Sequence, residues 1–419
     1  MKPHVSRVGA QFSRESGTRL LMDDLGAVAR APGDYVNLGG GNPARVPAVH
    51  HWLSDKFAEL AQAREFDPLF AAYEDPLGPA VFRTAVADYL RDRLGWPVTR
   101  EHVMCTAGSQ ASFFILFNVL AGPDEEGRSR RILFPQSPEY IGYSELCLAE
   151  GGLTAVPSLP VFTDEHRFRY HIDFDALRID PTIAALCISR PTNPTGNVCT
   201  DEELARLQDI AHAHSIPLIL DCAYGEPFPG ISFVPGRMSW TDNLVACFSL
   251  SKLGMPGMRA GIVVADPELI GILSNMNAAM VLSANPIGAR VALDLFASGQ
   301  LRDIVDREVR PFYLAQSQRA VALCDRLFAG LDYFLHEPGG AIFLWVWFRG
   351  LPISSAALYS RLKARGVLVI PGHLFTPGIP DAPRQVGECI RISYAQPPEV
   401  LARGMEIIAE EVRRAFAGR

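Results

Sequence analysis

The sequence predicts an α/β protein: a large domain with a mostly parallel central sheet flanked by helices, plus a smaller α+β domain. Three observations lead there. From Met104 onward, short apolar runs rich in β-branched residues alternate with longer helical patterns, the order that lays parallel strands between two helical layers. These runs end beside Gly, Pro, Ser or Asn, residues that turn the chain. After about Ser298 the alternation gives way to long helices around one wide apolar strand, the mark of a second, smaller unit.

Taken in order, residues 1–47 show no strand alternation and are expected to join residues 299–419 in the small domain, leaving 48–298 as the large one. Strands are expected at 103–106, 132–134, 185–189, 217–221, 245–249 and 261–265. The first turns through Gly108-Ser109-Gln110 into an apolar helix at 111–120, and free amides at such a helix start attract anions. Many strand-to-helix turns, however, use Gly for its conformation alone. Between 185–189 and 217–221 lies a helix that Thr200 can cap. Glu203 completes the T-x-x-E box, and Leu204, Leu207 and Ile210 form the apolar stripe. Asn193 and Asp221 therefore fall on consecutive strand-to-helix crossings. Residues 341–348 (AIFLWVWF) read as a core strand, being far shorter than the roughly 20 apolar residues of a membrane helix. Helices are expected at 355–365 and 398–415.

With 419 residues, 48% hydrophobic and 20% charged, the chain can bury a large core. Its net charge of −7 and lack of any basic block argue against a nucleic-acid partner. Eight scattered cysteines without a Cys-x-x-Cys pair read as buried thiols in a reducing compartment. The N-terminus has no uninterrupted signal-type apolar stretch, so a cytoplasmic location is expected. No metal is expected either, because His50-His51 and His212-x-His214 lack acidic or thiol ligands at a recognised spacing.

Lysine is scarce: of 39 Lys plus Arg, only Lys2, Lys56, Lys252 and Lys363 are lysines. Lys2 is terminal, and Lys56 and Lys363 occupy polar helical contexts where solvated side chains are expected. Lys252 alone follows an apolar strand, at the strand end where open α/β sheets bind ligands. Ser249, Ser251 and Arg259 surround it in sequence and offer two hydroxyls and a permanent cation to a phosphate. Asp221, ending its strand, is either a cap or ion-pair member, or the carboxylate that keeps a pyridine nitrogen protonated so that the ring accepts electrons. Tyr224 and Asn193 could both hydrogen-bond a phenolic oxygen on such a ring; Asn193 in Asn-Pro-Thr-Gly is equally a turn residue. Arg391 lies between Ile390 and Ile392 in a strand-like segment. Such an arginine ordinarily snorkels from a sheet edge, yet its planar fork suits a substrate α-carboxylate.

In order and spacing, Asn193-Pro194-Thr195-Gly196, Asp221-x-x-Tyr224, Ser249-x-Ser251-Lys252, Arg259 and Arg391 resemble the fold type I, pyridoxal-phosphate-dependent aminotransferases of class I/II. The likeness runs from about Gln11 to the C-terminus. Segments 13–25 (SRESGTRLLMDDL), 38–44 (LGGGNPA), 134–143 (FPQSPEYIGY), 189–198 (SRPTNPTGNV), 341–348 (AIFLWVWF) and 362–373 (LKARGVLVIPGH) resemble a bacterial branch acting on valine and pyruvate. The resemblance implies a Schiff base between Lys252 and pyridoxal 5'-phosphate, with the freed amine later moving a proton from the substrate α-carbon to the cofactor. It implies that Asp221 pairs with the pyridine nitrogen, Asn193 and Tyr224 with the phenolic oxygen, and that Tyr140 stacks on the ring. Gly108, Ser109, Gln110, Ser249, Ser251 and Arg259 would form the phosphate cup, and Tyr73 would reach the phosphate of a neighbouring subunit in a homodimer. Gly40 and Asn193 would assist Arg391 in holding the carboxylate of small apolar amino acids and 2-oxo acids. Cys222 departs from the polar residue expected there, with a consequence for how Asp221 is buttressed.

Other classes compete. An aromatic or 2-aminoadipate-type aminotransferase, or a C–S β-lyase, would use the same scaffold. Ser249-x-x-Lys252 fits a serine hydrolase, but the Ser-Asp-Asn and Lys-Thr-Gly that class also needs are missing. Residues 39–44 (GGGNPA) loosely fit a nicotinamide-binding turn, where Pro43 and Pro47 oppose the required helix. A non-catalytic, DNA-binding regulator would need more chain before Gly39 and a different charge.

Overall fold

The structure is a computed structural model describing residues 4–13, 16–30 and 35–418. Lys2 and, in the N-terminal motif, Arg14 and Glu15 lie outside the described residues. Six strands carry the large sheet: β1 (Val103–Thr106), β2 (Ser129–Phe134), β3 (Ile183–Ser189), β4 (Leu218–Asp221), β5 (Leu244–Ser249) and β6 (Gly261–Val264). They lie in the order β1-β6-β5-β4-β3-β2, with short strands Gly122–Pro123 and Leu153–Ala155 pairing with β2. The pairs from β5 through β4 and β3 to β2 are parallel, and β6 is antiparallel to both its neighbours.

Strand periodicity explains why the expected runs hold. In β4, Leu218 and Leu220 enter one buried layer and Ile219 the other, and Leu244, Ala246 and Phe248 alternate in the same way with Val245 and Cys247 in β5. Every residue of these strands is buried, and each fully buried Leu or Ile contributes about 1.5–3 kcal/mol. Asp221, at the end of β4, is the one charged residue buried in these two strands, so its place needs a chemical reason. The helix Asp201–Ala213 that leads into β4 starts as expected: Thr200 accepts from the Glu203 amide (3.1 Å), and the Glu203 carboxylate accepts from Thr200 N–H (2.8 Å).

The second sheet has six strands. Its centre is β7 (Tyr333–His336), β8 (Phe343–Phe348) and β9 (Cys389–Ser393), with Ile370–Pro371 beyond β9. The hairpin formed by Leu159–Asp164 and Arg167–His171 joins β7 from between two strands of the large sheet. The N-terminal segment does contain a strand: Val36–Asn37 pairs in parallel with Val367–Leu368, too short a stretch to show alternation.

One lysine expectation needs correction. Lys56 is buried rather than solvated, pairing with Glu59 (2.8 Å) and with Asp294 from a distant helix. Lys363, 40% exposed at its side chain, pairs with buried Asp24 (2.6 Å). All eight cysteines are free and buried, and among the described residues no helix is long and apolar enough to cross a membrane.

Candidate active site

Lys252 stands three residues beyond β5, half-buried in a cavity of about 170 Å³ at the carboxyl ends of the parallel strands. The same cavity gathers Ser109, Gln110, Tyr140, Asn193, Asp221, Tyr224, Ser249, Ser251, Arg259 and Arg391. Four larger surface grooves, of about 660, 820, 290 and 740 Å³, include no lysine in their walls. The Lys252 amine donates to the Gly41 carbonyl (2.7 Å) and lies 5.3 Å from the centre of the Tyr224 ring. Burial lowers its pKa to about 8, reinforced by Arg391 and Arg259 and opposed by Asp221. A useful fraction of neutral amine is therefore present near neutral pH.

Asp221 makes no ion pair among the described residues, which removes the structural salt bridge as its explanation. It accepts from the Tyr143 hydroxyl (2.6 Å) and the Ala223 amide (2.8 Å). Burial nevertheless raises its pKa to about 6. A cation placed against this carboxylate would reverse that shift.

At the other end of the cavity, the helix Ser109–Leu120 begins without a side-chain cap, because its N-cap is Gly108 at φ 93°. A Cβ there would lie 2.4 Å from an Arg259 guanidinium nitrogen, so only glycine permits this approach. Arg259 donates to the carbonyls of Ala107 (3.2 Å) and Pro256 (3.4 Å), and among the described residues it has no carboxylate partner. Open helix amides, an arginine without an anion and the Ser249 and Ser251 hydroxyls make a phosphate-shaped donor set.

Arg391 is 1% exposed and lies in β9 with strands on both sides, so the edge-snorkelling reading fails. Its guanidinium donates to Asn193 Oδ1 (2.7 Å) and to the Gly39 carbonyl (2.5 Å), and stacks 4.0 Å from the centre of the Phe343 ring, while its Nε has no partner. Burial lowers its pKa to about 10, which leaves it charged at neutral pH. The Gly40 amide is taken by Asn37 Oδ1 (3.0 Å), and Gly39 makes the backbone contact to Arg391. Tyr73 lies outside the cavity, 85% exposed. Cys222 turns to Met238 (S···S 3.8 Å), leaving the buttressing of Asp221 to Tyr143, which sequence reasoning missed. The one available signal was its position three residues after Tyr140, on the 3-10 turn Ile141–Glu145.

The model of the aminotransferase class I and II family matches residues 34–408. The chain belongs to the class I and II aminotransferases. This aminotransferase is 41% identical over 413 residues to the valine–pyruvate aminotransferase of Escherichia coli K12, an alignment covering 98% of this chain and 99% of the relative. A crystal structure of valine–pyruvate aminotransferase from Salmonella typhimurium superposes with a TM-score of 0.88 at 38% identity, covering 96% of this chain and all of that one. Aspartate aminotransferase from Thermus thermophilus, 22% identical, superposes with a TM-score of 0.78 over 98% of this chain and all of its own, and so shows the shared fold type I architecture. Members of this family depend on pyridoxal phosphate, and the donor set of the cavity fits that group: anion donors at one end, a lysine amine in the middle and a buried carboxylate behind.

Proposed function

We propose that this aminotransferase exchanges amino groups between L-valine and pyruvate, giving 3-methyl-2-oxobutanoate and L-alanine, with pyridoxal 5'-phosphate held in the Lys252 cavity. The observation that carries the reading is the company of Lys252: one buried carboxylate, one arginine without an anion and one buried arginine fork around a single amine. When bound, the cofactor supplies an electrophilic carbon for amines and a protonated ring that withdraws electrons from the substrate α-carbon.

Each side chain then has a task. Lys252, neutral in part because of burial, would hold the cofactor and carry the substrate α-proton on its amine, which the Gly41 carbonyl already orients. Asp221 would keep the ring nitrogen protonated, and the Tyr143 hydroxyl keeps Asp221 aimed. Tyr224 and Asn193 would hydrogen-bond the phenolic oxygen, and Tyr140 would cover the ring face. Gly108, Ser109, Gln110, Ser249, Ser251 and Arg259 would hold the phosphate. Arg391, steered by Asn193 and the Gly39 carbonyl, takes the α-carboxylate, with Gly40 continuing that loop.

The choice of a small apolar substrate rests on the relatives named above and on cation arithmetic. Lys252, Arg259 and Arg391 are the cations among the residues lining the cavity, and each has a task; none remains for a second substrate carboxylate, while Leu21 adds an apolar surface. We further assign 48–298 to the cofactor-binding domain and 1–47 with 299–419 to the small domain. Exposed Tyr73 is assigned to the phosphate of a second subunit in a homodimer, and the free thiols suit the cytoplasm. A panel of amino donors with pyruvate as acceptor, read as alanine formed, tests the reading. Valine should lead aromatic and acidic donors by at least tenfold in kcat/KM. Preference for glutamate, aspartate or an aromatic donor would overturn it, as would release of sulfide from cysteine derivatives in place of alanine formation.

A further inference from the structure

Glu139 is a fully buried acid that none of these assignments uses. It sits between Gln136 and Tyr140, just beyond β2. Each of its oxygens accepts one donor from its own segment and one from the end of β3. Oε1 accepts from Gln136 Nε2 (2.9 Å) and the Ser189 amide (2.9 Å), and Oε2 from the Tyr140 amide (3.2 Å) and the Ser189 hydroxyl (2.6 Å). Its own amide donates to the Phe375 carbonyl (2.9 Å), tying it to the 3-10 turn Gly372–Phe375 that follows Ile370–Pro371. Gln136 continues the chain of contacts to the Thr192 hydroxyl (2.6 Å), one residue before Asn193.

A buried carboxylate is expensive to desolvate, and burial raises this one to about 7 in spite of its hydrogen bonds. Four donors converging from two segments match an ionised carboxylate. A neutral amide in its place would turn an NH₂ group toward either the Ser189 or the Tyr140 amide, leaving a buried backbone donor without an acceptor.

We propose that Glu139 is a positioning residue for transamination, fixing the spacing between the Tyr140 ring wall and the Asn193–Arg391 carboxylate clamp. The inference rests on the roles given above to Tyr140, Asn193 and Arg391. Its leverage comes from geometry, since misplacing a binding group by about 1 Å can slow a reaction on the order of a hundredfold.

The test compares Glu139→Gln, Ser189→Ala and Arg391→Lys in the cofactor-loaded enzyme, using the best donor from the panel and pyruvate. Glu139→Gln should keep its cofactor, read as violet absorbance per subunit, because the phosphate donors lie on other segments. KM for both substrates should rise roughly tenfold, with a further loss in kcat. Ser189→Ala, which removes one of the four donors, should shift both KM values in the same direction by a smaller factor. It alone decides the matter if Glu139→Gln does not fold. A merely structural role would lower thermal stability and cofactor retention while the loaded fraction kept wild-type KM and kcat. If Arg391→Lys raises KM but neither other variant does, the inference about Glu139 is overturned and the clamp assignment stands. If Arg391→Lys leaves KM unchanged, the clamp assignment fails and the inference falls with it.

Discussion

Replacing Arg391 by Lys probes the substrate clamp at a site where the structure sets the size of the effect. The arginine is 1% exposed, spends two of its nitrogens on Asn193 and Gly39, and rests against Phe343. A lysine brings a charge to the same region but gathers its donors on one nitrogen, so it cannot reproduce the planar fork that reaches Asn193 and Gly39 while pairing in bidentate fashion with a substrate carboxylate. Losing one charge-assisted hydrogen bond to the substrate is worth about 1.5–3 kcal/mol, or roughly 10- to 150-fold in affinity. Amino donors and 2-oxo acids both carry the α-carboxylate, so both KM values should rise together, as steady-state assays with varied valine and varied pyruvate would show. Wild-type KM for both substrates would refute the clamp. A rise for only one of them would mean that Arg391 reads something other than the shared carboxylate.

Two further predictions concern the pocket without cofactor. Burial holds Lys252 near a pKa of about 8, so the cofactor-free protein should capture pyridoxal 5'-phosphate faster as pH rises from 6.5 toward 9, with an inflection near 8. A flat profile in stopped-flow absorbance would contradict a perturbed amine. Asp221 is raised to about 6 from an ordinary value near 3.8, so the folded chain binds the extra proton between these values. The cofactor-free protein therefore loses stability as pH rises from about 4 to 6. Asp221→Asn should recover about 1–3 kcal/mol of it at pH 7.5 in denaturant titrations while slowing turnover at least a hundredfold. Undiminished α-proton exchange in that variant would remove the electron-sink role.

Much of this was legible in the chain because it is local. The β5 run ends three residues before the one lysine that follows an apolar strand, and the Thr200–Glu203 box lies within four residues of itself. Arg391 was visible as an odd charge in an apolar strand, although its position inside the sheet depends on Ile370–Pro371 covering one side and β8 the other. What escaped is long-range. Tyr143 meets Asp221 across 78 residues of sequence, and no spacing rule joins a tyrosine on a 3-10 turn to an acid at a strand end. Glu139 carries no signal in the sequence, because two of its donors come from Ser189 at the end of β3. Lys56 looked solvated because its neighbours in sequence are polar, whereas its partner Asp294 comes from another helix. The Leu159–His171 hairpin was missed for the same reason, since its sheet partner β7 lies more than 150 residues further on.

The most direct test of the central claim is borohydride reduction of the purified enzyme followed by peptide mass mapping. The account predicts a phosphopyridoxyl group on the peptide carrying Lys252, with Lys56 and Lys363 unmodified. A label on any other lysine, or an active enzyme that takes up none, would contradict it.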